Sequence, residues 1–411
     1  MVREHSGRIL ASLIGQYRDF QLAEEALQDA WLAAAESWPA DGWPDNPPGW
    51  VFTVASRKAL DTIRRERSRS ERQQSAHREL ERRELDELDR RAERWHSGVD
   101  DDRLRLLFTC CHPDLDLESR IALTLRSVTW LGTDEIAQAF GVPTPTMAQR
   151  IVRAKAKIKR AGIPYRVPVG HELPGRLAGV LRVIYLVFNE AYLSRRTDQP
   201  VRVDLADEAI RLGRALVDLM PDEPEAGGLL ALMLAQHARA HARFDEVGDL
   251  VLLEDQDRGR WDRAAIGEAG RILEAAMRRR SIGPYQLQAA IAALHSEAST
   301  FADTDWAQIV ALYDLLVGID ASPVIALNRA VAVGFANGPE AGLAAIDEIV
   351  ADPSRFPQPH LLSAARGEFL TRSGRHEQAS TAFEDALATV SSDTERRHLE
   401  RRLRAVRHLS G

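Results

Sequence analysis

Cysteine is nearly missing from this chain of 411 residues: there are two, Cys110 and Cys111, and they are neighbours. Adjacent thiols cannot build a disulfide framework, which points to a reducing compartment. They also make a poor metal site. Cys110, Cys111 and His112 stand in a row, adjacent side chains rarely share one tetrahedral ion, and no second cysteine pair exists to complete it. Two small buried thiols near a helix end are expected instead, with no metal and no cofactor. Long apolar runs are also missing: none approaches the roughly 18 residues of a membrane span, and the N-terminus has no signal-peptide core. A cytoplasmic chain without membrane contact is expected. Runs of β-branched residues are scarce while Ala, Leu, Arg and Glu abound, which argues against a sheet-built protein and for an all-α fold. The length suits two to four domains.

Acid is missing locally. No Asp or Glu occurs between Glu135 and Glu172, a gap that holds Arg150, Arg153, Lys155, Lys157, Lys159 and Arg160. The formal charge of the whole chain is −7, which looks wrong for a nucleic-acid binder. That charge is unevenly spread, however: residues 1–170 carry 27 Lys and Arg against 26 Asp and Glu, and the remainder carries 27 against 35. A near-neutral front with dense basic patches can bind phosphate locally.

The acid-free gap falls in a stretch patterned as a helix-turn-helix, Ser119 to Gly162. Thr133 can cap a short helix with Asp134 and Glu135 in its first turn, facing the positive end of the dipole. Ile136, Ala137 and Phe140 give it an apolar face, and Gly141 supplies the stop. Thr144 can cap the second helix with Pro145 at its first position. Two short helices at a tight turn, the second basic, is the geometry that lays a recognition helix in a DNA major groove. A helical hairpin with a solvated basic face would read the same way.

Ahead of it, apolar residues recur at helical spacing over Ile9–Ile14 and Leu22–Trp31, with Asp19 placed to cap the second helix. Residues 37–50 hold four prolines and three tryptophans and are expected to break helical structure. A third helix opens at Trp50 and bears Arg57, Lys58, Arg64, Arg65 and Arg67. Aromatics beside a basic helix suit unpaired bases and phosphates together, or else plug a small core. Residues 68–101 are charged, poor in large apolar side chains, and read as a linker. After Pro168 a helical rhythm runs to the C-terminus, with helices expected at 205–219, 226–242, 261–279, 285–298, 306–318 and 324–336. Two acidic features stand out. Glu190 interrupts an apolar stripe, and LEDQDRGRWDR at 253–263 clusters carboxylates with Arg258, Arg260 and Arg263. Convergent carboxylates could bind a cation or act as acid and base, but interleaved arginines favour ion pairs within the motif.

Three separated blocks carry a resemblance. DFQLAEEALQDAW at 19–31, PPGWVFTVASRKALDTIRRERSR at 47–69 and the helix-turn-helix beyond a charged linker resemble the paired sigma-2 and sigma-4 domains of bacterial extracytoplasmic-function (ECF) sigma factors. DDRLRLLFTCCHPDL at 101–115, TMAQRIVRAKAKI at 146–158, VFNEAY at 187–192, LVLLEDQDRGRWDR at 250–263 and GPYQLQAAIAALH at 283–295 resemble the subgroup with a long C-terminal extension ending in tetratricopeptide-like (TPR) repeats. Gly367, Leu370, Ala379, Phe383 and Ala386 fall at the spacing of such a repeat.

The resemblance implies a sigma-2 domain at 1–67, a linker at 68–101, a sigma-4 domain at 102–165, a helical extension at 166–300 and TPR-like repeats at 301–411. It implies a non-enzymatic subunit whose partners are core RNA polymerase and promoter DNA, with a protein or peptide ligand for the TPR-like region. Glu24, Gln28 and Asp29 would contact polymerase. Trp50, Arg57, Lys58, Arg64 and Arg65 would serve the −10 element. Thr146, Gln149, Arg150 and Arg153 would read the −35 element, with Lys155 and Lys157 on backbone phosphate. The extension would modulate activity, its acidic charge shielding a basic helix. Two alternatives stay open: a helix-turn-helix activator with a TPR sensor, and a helical hydrolase using Glu190 or Asp255 and Asp257.

Overall fold

The computed structural model describes residues 2–68, 99–140, 142–193, 205–245, 249–349, 356, 358–390 and 392–410. The linker region at 69–98 and Gly141 lie outside them. The described residues form helices with no strand; one isolated antiparallel bridge joins Phe244 and Leu250. Among them, no helix is long and apolar enough to cross a membrane. The chain divides into two compact units, Met1–Leu219 and Met220–Gly411.

The first unit begins with α1 (Val2–Tyr17), α2 (Phe20–Asp41) and α3 (Pro47–Ser68). Asp19 caps α2 as the pattern predicts, its Oδ1 accepting from the N–H groups of Gln21 (2.9 Å) and Leu22 (3.1 Å). The proline-rich stretch is more helical than expected. α2 continues through Pro39 to Asp41, its last turn anchored by the buried Trp38. α3 starts at Pro47 rather than Trp50, because prolines in a first turn lack only N–H groups that would be unpaired anyway, and Asn46 Oδ1 accepts from the Gly49 N–H (3.1 Å).

Next come α4 (Val99–Cys110), α5 (Leu117–Ser127), α6 (Thr133–Ala139), α7 (Thr144–Ala161), α8 (Leu173–Leu193) and α9 (Leu205–Leu219). The turn between α6 and α7 follows the expected pattern with shifted caps. Gly132, not Thr133, caps α6, and its N–H is taken by Glu135 Oε2 at 2.7 Å. Pro143, not Thr144, precedes α7, which puts Pro145 at the second helical position. Gly162 ends α7 in the left-handed conformation (φ 62°) that glycine adopts without strain.

α1 is the hub of this unit. It packs on α2, α3 and α4, burying Ile9, Leu10, Leu13 and Ile14, so residues 2–68 and 99–219 share one core. The Tyr165 hydroxyl donates to the Ala11 carbonyl (2.7 Å), with the Asp102 carbonyl 3.0 Å away. α8 and α9 belong to the same body. α8 buries Val180, Val183, Ile184, Val187 and Phe188 against α4, α5 and α9. Cys110 and Cys111 are fully buried where α4 ends, as expected; burial raises both thiols, Cys111 to about 11, and leaves them unreactive.

The second unit is a run of helical hairpins: α10 (Pro224–His237), α11 (Arg263–Met277), α12 (Pro284–Glu297), α13 (Trp306–Ile319), α14 (Pro323–Asn337), α15 (Pro339–Asp347), α16 (Pro359–Arg372), α17 (His376–Thr389) and α18 (Asp393–Ser410). From α12 onward each helix packs on its neighbours in sequence, the contact pattern of a one-dimensional stack. Proline opens α10, α12, α14, α15 and α16. Small residues set the helix spacing. Gly334 and Gly342 face the Phe369 ring, and Gly367 faces Phe383 so closely that a Cβ there would sit 3.0 Å from the ring. Gly374 makes the α16–α17 turn at φ 73°.

Candidate nucleic-acid and polymerase interfaces

α7 is amphipathic. Met147, Ile151, Ala154 and Ile158 recur at i, i+4, i+7 and i+11 and are buried, which turns the remaining positions outward. Thr146, Gln149 and Arg153 are exposed on that outer surface. Between them stands Val152, 63 % exposed, which sequence reasoning missed. An apolar side chain flanked by Gln and Arg suits a groove lined by base edges and thymine methyls. Four other cations of α7, Arg150, Lys155, Lys157 and Lys159, are engaged within the protein. Arg150 pairs with Glu118 (2.6 Å), and Lys157 Nζ donates to the Asp114 carbonyl.

The strongest of these engagements joins the two proposed surfaces. Lys155 meets Glu24 of α2 at 2.6 Å, and both side chains are mostly buried. One turn on, Lys159 meets Asp19 at 3.2 Å in the open. Burial opposes the charge on Asp19, but the Leu22 N–H, the Lys159 ammonium and the Gln21 N–H outweigh it and hold this carboxyl below the usual range. Arg18 completes the seam: its guanidinium donates to the Tyr165 carbonyl (2.9 Å) and lies over the Tyr165 ring. Gln28 and Asp29 remain exposed on α2, so the three residues assigned to polymerase are split: two free to solvent and one committed to α7.

α3 presents a continuous basic face. Arg57, Lys58 and Arg65 are exposed, and Arg64 is half-buried, 3.8 Å from Asp61. At the α2–α3 turn the tryptophans form a stack around Trp38. Trp31 and Trp50 meet it edge-on (6.2 and 5.5 Å between centroids), and Trp43 covers it at 4.8 Å. Trp38 plugs the core, and Trp31 is half-buried beside it with its Nε1 donating to Ser6 Oγ (2.9 Å). Trp50 is half-buried against them, whereas Trp43, within the 37–48 loop that the resemblance sets beside Trp50 for unpaired bases, is 66 % exposed and offers a free aromatic face.

The acidic motif at 253–263 is not the self-paired cluster the sequence suggests. Asp257 Oδ1 accepts from the Gly259 N–H (2.8 Å), and Asp262 Oδ1 caps α11 through the Ala264 and Ala265 N–H groups (2.9 and 3.0 Å). Glu254 pairs outside the motif with Arg372 (2.6 Å). Arg258 and Arg263 donate to the carbonyls of His295, Ser296 and Ala298 at the negative end of α12. These residues cap helices; their carboxylates do not converge. The side chain of Glu190 lies outside the described residues.

A three-helix module with a tryptophan-braced turn and a basic third helix shares one compact unit with a short helix, a turn and a second basic helix. Residues 1–69, which span α1–α3, match the family model of Sigma-70 region 2, and residues 176–277 match that of a family of unknown function (DUF6596). The chain is 44 % identical over 400 residues to the uncharacterized protein R00370 of Rhizobium meliloti (strain 1021), across 96 % of this chain and 92 % of that one. The chain therefore belongs to one family with that protein, and its N-terminal module is a sigma factor's region 2.

Proposed function

We propose that this protein is an ECF-type sigma factor: a dissociable subunit that directs core RNA polymerase to promoters and carries no chemistry of its own. The observation that carries the reading is a sigma-70 region 2 sharing one compact unit with a second helix, α7, whose outer surface is cationic and free of acid. In this reading Gln28, Asp29 and, once released, Glu24 dock on polymerase. Arg57, Lys58, Arg64 and Arg65 hold −10 phosphates, while Trp50 and the exposed Trp43 stack unpaired bases, since melted DNA needs an aromatic platform. Thr146, Gln149, Arg150 and Arg153 read the −35 element, and Lys155 and Lys157 grip its backbone.

The Glu24–Lys155 pair adds a condition. Neither residue can serve its partner until α2 and α7 part, so the free chain is closed and polymerase must open it. The helical array beyond Leu219 acts as the TPR-like extension that restrains activity. Core polymerase reconstituted with the purified chain, followed by mapping of transcript 5′ ends on genomic templates, tests the whole reading. Discrete new start sites are expected; core enzyme that initiates no differently with the chain than without it refutes the assignment.

A further inference from the structure

α18 is the cationic exception in an acidic half-chain, with six arginines against three acidic residues in Asp393–Ser410. Its core face is apolar: Leu399, Leu403 and Val406 are buried in the stack. On the opposite side Arg397, Arg401 and Arg404 recur at i, i+4 and i+7 and form a row that the packing of the array does not use. That row grips a segment from far back in the chain. Arg397 Nε donates to Asp249 Oδ1 at 2.7 Å, Arg401 Nη1 lies 3.2 Å from Asp249 Oδ2, and Arg401 Nη2 donates to the Leu250 carbonyl at 3.0 Å.

The segment it holds has the form of a bound peptide. Residues 243–245 and 249–251 lie antiparallel: the Val251 N–H donates to the Arg243 carbonyl (2.9 Å), the Asp245 N–H to the Asp249 carbonyl (3.0 Å), and the Asp249 N–H to Asp245 Oδ1 (2.8 Å). Asp245 Oδ2 lies 3.9 Å from Arg401 Nη1, so two carboxylates and a main-chain carbonyl reach the guanidiniums together, the kind of acceptor set that the arginine fork matches. The hold is polar and open to water: the Asp249 and Arg397 side chains are 19 % and 46 % exposed. Pairs of that kind add little stability, are screened by salt, and exchange readily for equivalent ones. Arg404, exposed at the end of the row, has no hydrogen bond or ion pair among the described residues, so the cationic surface runs past the part that Asp249 covers.

We propose that the arginine row of α18 is a docking surface for an acidic segment of a partner protein, and that the chain's own Asp245 and Asp249 occupy it as a built-in competitor. The inference rests on residues 220–411 alone and stands whether or not the chain serves polymerase. The test uses the full-length chain and a fluorescent synthetic peptide of its own residues 243–255, RFDEVGDLVLLED. Asp245→Ser with Asp249→Ser frees the row; anisotropy should show this variant binding the peptide at least tenfold more tightly than the parent chain. Adding Arg397→Glu and Arg401→Glu should abolish that binding. Should the serine pair fail to fold, Asp245→Asn with Asp249→Asn keeps the side-chain hydrogen-bonding groups and replaces it. No binding to the freed chain, equal binding by the parent, or binding that survives the arginine reversals overturns the proposal and leaves the contact a fixed structural clasp.

Discussion

Replacing Lys155 by Met tests whether the two surfaces of the first unit lock one another. Met keeps the apolar stem and removes the ammonium that Glu24 meets at 2.6 Å. Glu24 is left 8 % exposed, with its Oε1 already lacking a hydrogen-bond partner. Stripping the partner from a buried charge costs about 3–5 kcal/mol when nothing can move. In the proposed opening α2 and α7 separate and let Glu24 hydrate, which brings the loss nearer the roughly 1.5–3 kcal/mol of a charge-assisted hydrogen bond. At about 1.4 kcal/mol per decade, that shifts the closed–open equilibrium roughly 10- to 100-fold toward open. Hydrogen exchange of the α7 amides should accelerate by that factor. Core polymerase should bind more tightly, because less of its binding energy goes into opening the chain. Lys159→Met is the control: its pair with Asp19 is exposed, with Lys159 itself at 83 %, and should change neither readout. Unchanged α7 exchange in Lys155→Met would show that the pair locks nothing. Faster exchange with weaker polymerase binding would show that α2 is not the docking face.

The remaining predictions concern DNA readout, pH, packing and the extension. Arg153→Ala should cost about 1–3 kcal/mol at one promoter position and relax its sequence preference, whereas Lys58→Ala should weaken all promoters alike and reduce the salt slope by about one; gel shifts of the polymerase complex across a set of −35 variants separate the two. Burial, then the neighbouring Arg239 and Arg258, lower His295 to about 4, so the unfolded chain takes up this proton first and stability falls as pH drops from about 6.5 toward 4. Urea titrations should lose about 2 kcal/mol between pH 7 and pH 5, a loss that His295→Phe removes; an equally acid-sensitive variant refutes the assignment. Gly334→Ala would drive a methyl into the Phe369 ring and should cost about 1–3 kcal/mol, read as a lower thermal midpoint that Phe369→Leu restores; an unchanged midpoint contradicts the packing. Stopping the chain after Leu219 should raise promoter output, whereas stopping before Leu173 removes α8 from α4 and α5 and should give insoluble protein; silence from the longer truncation would mean that the extension is required.

Helix positions were legible because punctuation in this chain is local. The helix expected at 205–219 ends at Leu219, and the ones at 306–318 and 324–336 shift by a residue, whereas the one expected at 226–242 starts at Pro224 and stops at His237. Residues 37–41 differ: Pro39 reads as a helix breaker, yet a buried Trp38 holds the final turn around it. Charge on α3 and α7 was legible too, but its engagement was not. Lys159 and Asp19 are 140 residues apart, and no periodicity reports a contact at that distance. The same blindness made the 253–263 carboxylates look like partners for the arginines beside them. Their actual partners are backbone amides nearby and Arg372 far away.

That distinction bears on how a sigma-type subunit avoids acting alone. A basic helix free in solution would bind any duplex, because phosphate contacts carry no sequence information and are strong at low salt. Lys155 is the cation of α7 most withdrawn from solvent, and what withdraws it is a carboxylate on the face assigned to polymerase. Under the proposed assignments, the two binding events are linked through one ion pair. Whatever competes for Glu24 also releases Lys155, and the coupling is equal in both directions because it is a single free energy. Its size is bounded by the pair itself, at most a few kcal/mol, enough to favour DNA contact after polymerase has bound without making the closed chain inert.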